Sequence, residues 1–205
     1  MELLPTLISS GWASGVNAYA TVLVLGLLGR AGVGTETVPE QLTETPVLAA
    51  AAVLYAIEFV ADKVPIFDSV WDLLSTVVRP AIGAAIGVEF AAADELSTAD
   101  QALAGGGSGT VALVSHGIKA SVRLGINASP EPFTNIIASV AEDMTVGAVT
   151  ALALWQPEIA AAIAIVLLTA GIALVIVIWK QIRRAWPAVR ERWRRLRDRY
   201  RRARS

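Results

Sequence analysis

Apolar residues in this chain come in long runs separated by short polar breaks, and the run lengths predict membrane-crossing helices. From Ile159 to Trp179 only Thr and Gly interrupt the apolar sequence. About 20 residues at 1.5 Å rise each cross a ~30 Å hydrocarbon core. Less apolar runs occupy about 6–29, 46–62, 70–92, 102–124 and 135–155. They are rich in Ala and Gly, which lets membrane helices approach closely. The pattern predicts an all-α polytopic membrane helix bundle of about six transmembrane helices within residues 1–179. A four-span alternative folds the stretches near 64–80 or 102–112 as re-entrant segments. The opening Met1-Glu2-Leu3-Leu4-Pro5 lacks the positive flank of a secretory signal and reads as the start of the first span.

Charge sharpens the picture through its placement. Only 17% of the 205 residues are charged, against about a quarter in a soluble domain. Residues 1–179 hold 16 Asp/Glu and 5 Lys/Arg, whereas 180–205 hold 12 Lys/Arg and 2 Asp/Glu. Basic residues mark the cytoplasmic side, so residues 180–205 form a cytoplasmic tail, and six spans bring the N-terminus to the same side. Lys63 and Arg123 then fall at cytoplasmic ends, the Lys/Arg-free stretches 31–46 and 92–100 face outward, and Arg30 is the exception. The expected location is a bacterial inner membrane. The chain has no cysteine, which excludes thiolate metal sites and cysteine nucleophiles.

The two halves echo each other. Ser14-Gly15-x-x-Ala18 precedes Arg30-x-Gly32 and Pro39-Glu40; Ser108-Gly109-x-x-Ala112 precedes Arg123-x-Gly125 and Pro130-Glu131. Chance similarity in Ala/Gly-rich helices is one explanation. The other is a repeat of three helices, 6–92 and 102–179, whose second unit is inserted upside down, as in many transporters.

Polar residues recur at helical spacing within the apolar runs. Glu58 and Asp62 are four apart, followed by Lys63, Asp68 and Asp72. His116, Lys119 and Arg123 share one face of a later helix; Asn135, Ser139, Glu142 and Asp143 line one face of the next. Magnitudes decide how that last helix must sit. Its Leu, Ile and Val residues favour insertion by roughly 0.3–0.6 kcal/mol each, whereas an ionised Glu142 or Asp143 near the middle costs about 2.5–3.5 kcal/mol. These carboxylates must face protein, ligand or water, or carry protons. One reading is structural: they pair with Lys119, Arg123 or Arg79 and fix helix register. The other is a polar cavity for an ion, a proton or a polar headgroup.

Familiar catalytic patterns fail, so no enzyme, cofactor or metal centre is expected. Gly106-Gly107-Ser108-Gly109 fits the short motif of rhomboid-type proteases, but the sole histidine, His116, lies eight residues along the same helix. Acid-phosphatase-type lipid phosphatases need two histidines. Asp68-x-x-x-Asp72 lacks the neighbours that CDP-alcohol phosphotransferases require.

In the tail, Trp179, Trp186, Trp193 and Tyr200 recur every seven residues, with Ile182, Val189 and Leu196 between them and Arg nearly everywhere else. Such an amphipathic helix suits an anionic membrane surface; a short coiled coil is the alternative, though its flanking Arg would repel a like partner. Pro187 predicts a break or a new helix start there. Membrane lipids, anionic ones above all, are the expected partners, with a homo-oligomer open and nucleic acid not expected.

Taken together the blocks Gly15-Val16-Asn17-Ala18-Tyr19-Ala20-Thr21, Glu58-Phe59-Val60-Ala61-Asp62-Lys63-Val64-Pro65 and Glu142-Asp143 resemble a bacterial family of small integral membrane proteins known as domain of unknown function 4126. Asp68, Trp71-Asp72, Lys119, Arg123, Ser129-Pro130-Glu131-Pro132, Asn135 and Ser139 belong to the same resemblance. It covers about residues 10–180 and implies a membrane protein, with no activity attached. The expected function is a small transporter or channel-like permease for a cation, a proton-coupled solute or a phosphate-bearing lipid headgroup. A non-transporting membrane scaffold is the rival reading, and an intramembrane hydrolase a distant third.

Overall fold

The computed structural model describes residues 3–34, 37–127 and 132–202, with side chains apart from those of residues 65, 66, 127, 132, 134, 135, 185, 187–189 and 192–202. Within it the chain is all helix and turn: α1 (Leu3–Arg30), α2 (Glu40–Thr43), α3 (Thr45–Ala61), α4 (Pro65–Ala93), α5 (Thr98–Asn127), α6 (Pro132–Trp155) and α7 (Pro157–Arg202). Prolines open α4, α6 and α7 and stand at the second position of α3, where their missing N–H has no intrahelical partner to lose. Each expected apolar run falls within one of these helices, apart from Asp62 at the end of the run 46–62, and the helices extend up to five residues beyond the first five runs and far past Trp179 in α7.

Four helical stretches are both long and apolar enough to cross a membrane: Leu3–Arg30, Phe67–Ala93, Ile136–Trp155 and Pro157–Arg184. The other two expected spans differ for separate reasons. α3 is 17 residues long, and α5, at 30 residues, has its hydropathy lowered by Asp100, His116, Lys119 and Arg123. The stretches 65–80 and 102–112, re-entrant in the four-span alternative, lie within the continuous helices α4 and α5.

α1 is the axis of the bundle. It is buried along most of its length and packs against every other helix. Trp12, Ala13, Val16 and Ala20 meet Val146 and Val149 of α6 and Ala160 and Ala164 of α7; Val22 and Leu25 meet Ile86 and Phe90 of α4. Against α5 the contact is closer still, because small residues remove the side-chain layer between the helices. A Cβ on Gly15 would strike the Ala112 carbonyl, and one on Gly11 would lie 2.7 Å from the Ser108 carbonyl. The two Ser-Gly-x-x-Ala motifs of the sequence thus touch each other at the α1–α5 crossing.

Polarity is inverted relative to a soluble protein. Arg79, Arg123, His116 and Glu58 are among the most buried large side chains, whereas Leu73, Val77, Ile137, Met144, Val166 and Trp179 are exposed on the outside. An apolar exterior this extensive belongs against lipid. The protein is a membrane protein.

Two local features depart from the sequence reading. Asn17, midway along α1, has φ −150° and ψ 97°, so α1 is two helical halves joined at a break. The break expected at Pro187 is absent, and α7 is helical through it to Arg202. A proline inside a helix removes one hydrogen bond and costs about 3 kcal/mol, yet α7 continues through it. Arg30, the exception to the charge pattern expected from the sequence, donates to the Thr43 carbonyl and the Thr45 hydroxyl at 2.5 Å each and ties α1 to the start of α3.

Candidate functional site

The inward faces of α3, α4, α5 and α6 each carry charges at helical spacing, and the bundle brings them together beside the break in α1. On α3, Glu58 and the capping residue Asp62 lie one turn apart and are both buried. On α4, Asp68, Asp72, Ser75 and Arg79 form one buried face, while Val70, Leu73, Leu74 and Val77 point outward. α5 supplies Ser115, His116, Lys119 and Arg123, and α6 supplies Ser139, Glu142 and Asp143.

Three cations organise the cluster. Arg79, fully buried, donates from Nη2 to Glu58 Oε1 at 2.9 Å and approaches Asp72 Oδ1 at 3.3 Å. Its Nη1 lies 2.8 Å from His116 Nδ1. A guanidinium can only donate, so His116 accepts at Nδ1 and carries its proton on Nε2, which faces the Thr76 hydroxyl at 3.1 Å. Lys119 donates to Asp62 Oδ2 and to the Val16 carbonyl, both at 3.1 Å, with Glu142 at 3.5 Å and Glu58 at 3.6 Å. Arg123 grips Glu142 with a fork, Nε to Oε1 at 3.2 Å and Nη2 to Oε2 at 2.7 Å, and reaches Asp62 at 3.5 Å and Asp68 at 3.9 Å.

The broken helix is part of this site. At the break, carbonyls that would bond inside the helix turn outward: Gly15 faces Arg79 at 3.5 Å and Val16 faces Lys119. These carbonyls end the first half-helix, where the dipole is negative and cations are favoured. The Asn17 Oδ1 accepts from the Ala20 N–H at 2.9 Å and so caps the second half. Its Nδ2 donates to Asp143 Oδ1 at 2.9 Å.

Of the residues predicted from the sequence, Glu58, Asp62, Asp68, Asp72, His116, Lys119, Arg123, Glu142 and Asp143 share this cluster. Lys63 does not. Its ammonium donates to the Phe59 carbonyl at 2.7 Å and sits over the Phe59 ring, an arrangement in which burial pulls its pKa down against the opposing pull of Asp143 and Asp62. Ser139 is fully buried with an unpartnered hydroxyl; the side chain of Asn135 lies outside the described residues. Asn17 was missing from the predicted site, and Arg79 was expected only as a pairing partner of the carboxylates. The signal for Arg79 was its register with Asp68 and Asp72 at intervals of four and seven.

Two cavities border the cluster. One of about 280 Å³ is lined by Trp12, Ser115, Lys119, Glu142, Thr145 and Leu167 among others; another of about 290 Å³ is lined by Ser69, Asp72, Thr76 and Arg123 among others. Among the described residues no three His, Asp or Glu side chains converge to hold a metal ion.

The model of the domain of unknown function family DUF4126 matches residues 4–177. The chain belongs to this family. The DUF4126 match contains every residue of the cluster and ends before the Arg-rich tail. No curated protein and no solved structure matches the chain.

Proposed function

We propose that this DUF4126 protein is a small proton-coupled transporter or permease whose polar site lies inside the membrane beside the break in α1. One observation carries the reading: six carboxylates (Glu58, Asp62, Asp68, Asp72, Glu142, Asp143) share the cluster with only three basic side chains, Arg79, Lys119 and Arg123. An uncompensated buried ion costs several kcal/mol, so the excess negative charge calls for protons or a cationic solute. Two cavities that share lining residues with the cluster give a solute room beside it. A broken helix whose ends face charged groups is a recurrent device of transporter sites.

Among the substrates considered, a phosphate-bearing headgroup fits worst. Lys119 and Arg123 are already paired, His116 is engaged by Arg79, and the net charge repels an anion. A divalent metal is not favoured either, because the carboxylates are spread over separate partners.

The same reading takes α3 and α5 as crossing helices, giving six spans with both termini cytoplasmic in a bacterial inner membrane. The meeting of the two Ser-Gly-x-x-Ala motifs supports an inverted repeat of 6–92 and 102–179, with 180–205 as a lipid-binding tail. The scaffold reading draws on a different fact, that each cation already holds at least two carboxylates.

Reconstituted vesicles containing a pH-sensitive dye test the choice. Imposed Na⁺ or K⁺ gradients should drive protein-dependent proton movement that Glu142→Gln and Lys119→Met abolish. No movement with either cation, together with native mass spectra free of bound solute, would favour the scaffold.

A further inference from the structure

Asp143 differs from the other five carboxylates of the cluster. Among the described residues it is paired with no Lys or Arg; its hydrogen-bond donor is the neutral amide of Asn17. The phenol of Tyr55 also reaches it from α3. Its second oxygen, Oδ2, is buried without a hydrogen-bond partner, and so is Oε2 of the fully buried Glu58. A bare buried oxygen is costly, and more so when it belongs to an ion than to a neutral acid.

The cations nearest Asp143 are engaged by other groups. Glu58 and Asp62 on the α3 side repel a negative charge there; Lys119 on α5 attracts it but is already shared by Asp62, Glu58 and Glu142. Lys63, beyond the end of α3, also attracts it but is turned onto the Phe59 ring. Neighbouring Glu142 on its own helix is held by Arg123. From α1 it meets Asn17, whose Nδ2 donates equally well to a neutral carboxyl's carbonyl oxygen.

We propose that Asp143 is a neutral, proton-carrying carboxyl in the resting protein and the point at which the cluster exchanges protons. Asn17 acts as a positioning residue, holding Oδ1 while Oδ2 carries the proton. This deepens the transporter reading and rests on it for its purpose, but its test does not depend on transport.

The test uses the purified full chain in lipid nanodiscs. A neutral carboxylic acid shows an infrared carbonyl stretch that a carboxylate lacks. At neutral pH the wild type should show this band and Asp143→Asn should lose a component of it. Because the amide imitates the protonated acid, Asp143→Asn should also melt at or above the wild-type temperature, whereas Glu142→Gln should melt lower. A band unchanged by Asp143→Asn, or a variant that melts well below wild type or fails to fold, would overturn the proposal. An intact band with no proton movement in vesicles would refute the transporter reading alone.

Discussion

Arg79 is the residue on which the charged cluster most depends. It is fully buried and answers to Glu58, Asp72, His116 and the Gly15 carbonyl at once. Removing one partner of a buried pair leaves the other charge uncompensated, typically at ~3–5 kcal/mol. Arg79→Met should therefore lose about that much stability in thermal or denaturant melts. Arg79→Lys should recover only part, because a compact ammonium cannot span Glu58 and His116 in the way a planar fork does. A lysine variant as stable as wild type would show that charge alone matters there. These dependences also mark the limit of sequence reading at this scale. Glu58, Asp62, Lys119 and Arg123 were legible because four-residue spacing within one helix reveals a shared face. Arg79 shares a face of α4 with Asp72, two turns back, but Glu58, His116 and the Gly15 carbonyl reach it from other helices, so the local pattern does not show that it is the centre.

At the scale of elements, helix positions were legible and their internal irregularities were not. Apolar run length fixes where a membrane helix lies, since backbone groups in lipid must be satisfied within it. The break at Asn17 obeys a different cause: carbonyls freed in mid-helix are stable only because Arg79 and Lys119, from two other helices, bond them. Asn17→Ala should cost about 0.5–2 kcal/mol for the lost cap alone, seen as faster amide exchange at Ala20 than at Val22 or beyond. Uniform exchange along α1 would mean that the cap contributes nothing. The α1–α5 crossing is equally unforgiving. Gly15→Val would drive its side chain into the Ala112 backbone, and overpacking costs typically 1–3 kcal/mol, so this variant should melt below Gly15→Ala, and both below wild type. The tail makes a third case. A peptide of residues 180–205 should gain helicity on anionic vesicles and release as salt rises, since each basic residue contributes about 1 kcal/mol near such a surface. Equal binding to neutral vesicles would point to the aromatic seam instead.

For the whole molecule the question is which ends face which side, and the charge cluster bears on the answer. Lys63, Asp68 and Arg123 lie toward the end of the bundle where α3 gives way to α4 and α5 ends, whereas Glu95 and Ser97 lie at the opposite turn, between α4 and α5. If α3 and α5 cross the membrane, the turn at Lys63 shares the cytoplasmic side with the Arg-rich tail, and the turns at Ser97 and Gln156 face outward. The chain has no cysteine of its own, so single cysteines report position without background. Ser97→Cys and Gln156→Cys should react with a membrane-impermeant maleimide added outside intact cells, and Lys63→Cys only after the membrane is opened. α5 is the helix at risk in this scheme, because its inward face carries His116, Lys119 and Arg123, which no lipid would tolerate. It can cross only because α1 and α4 enclose that face, with Gly15 and Gly83 allowing contact at backbone distance. Labelling of positions 63 and 97 from the same side would mean that α4 does not cross. Labelling of 97 and 156 from opposite sides would leave α5 and α6 with a single crossing between them, and the inverted repeat would fall with the six-span count.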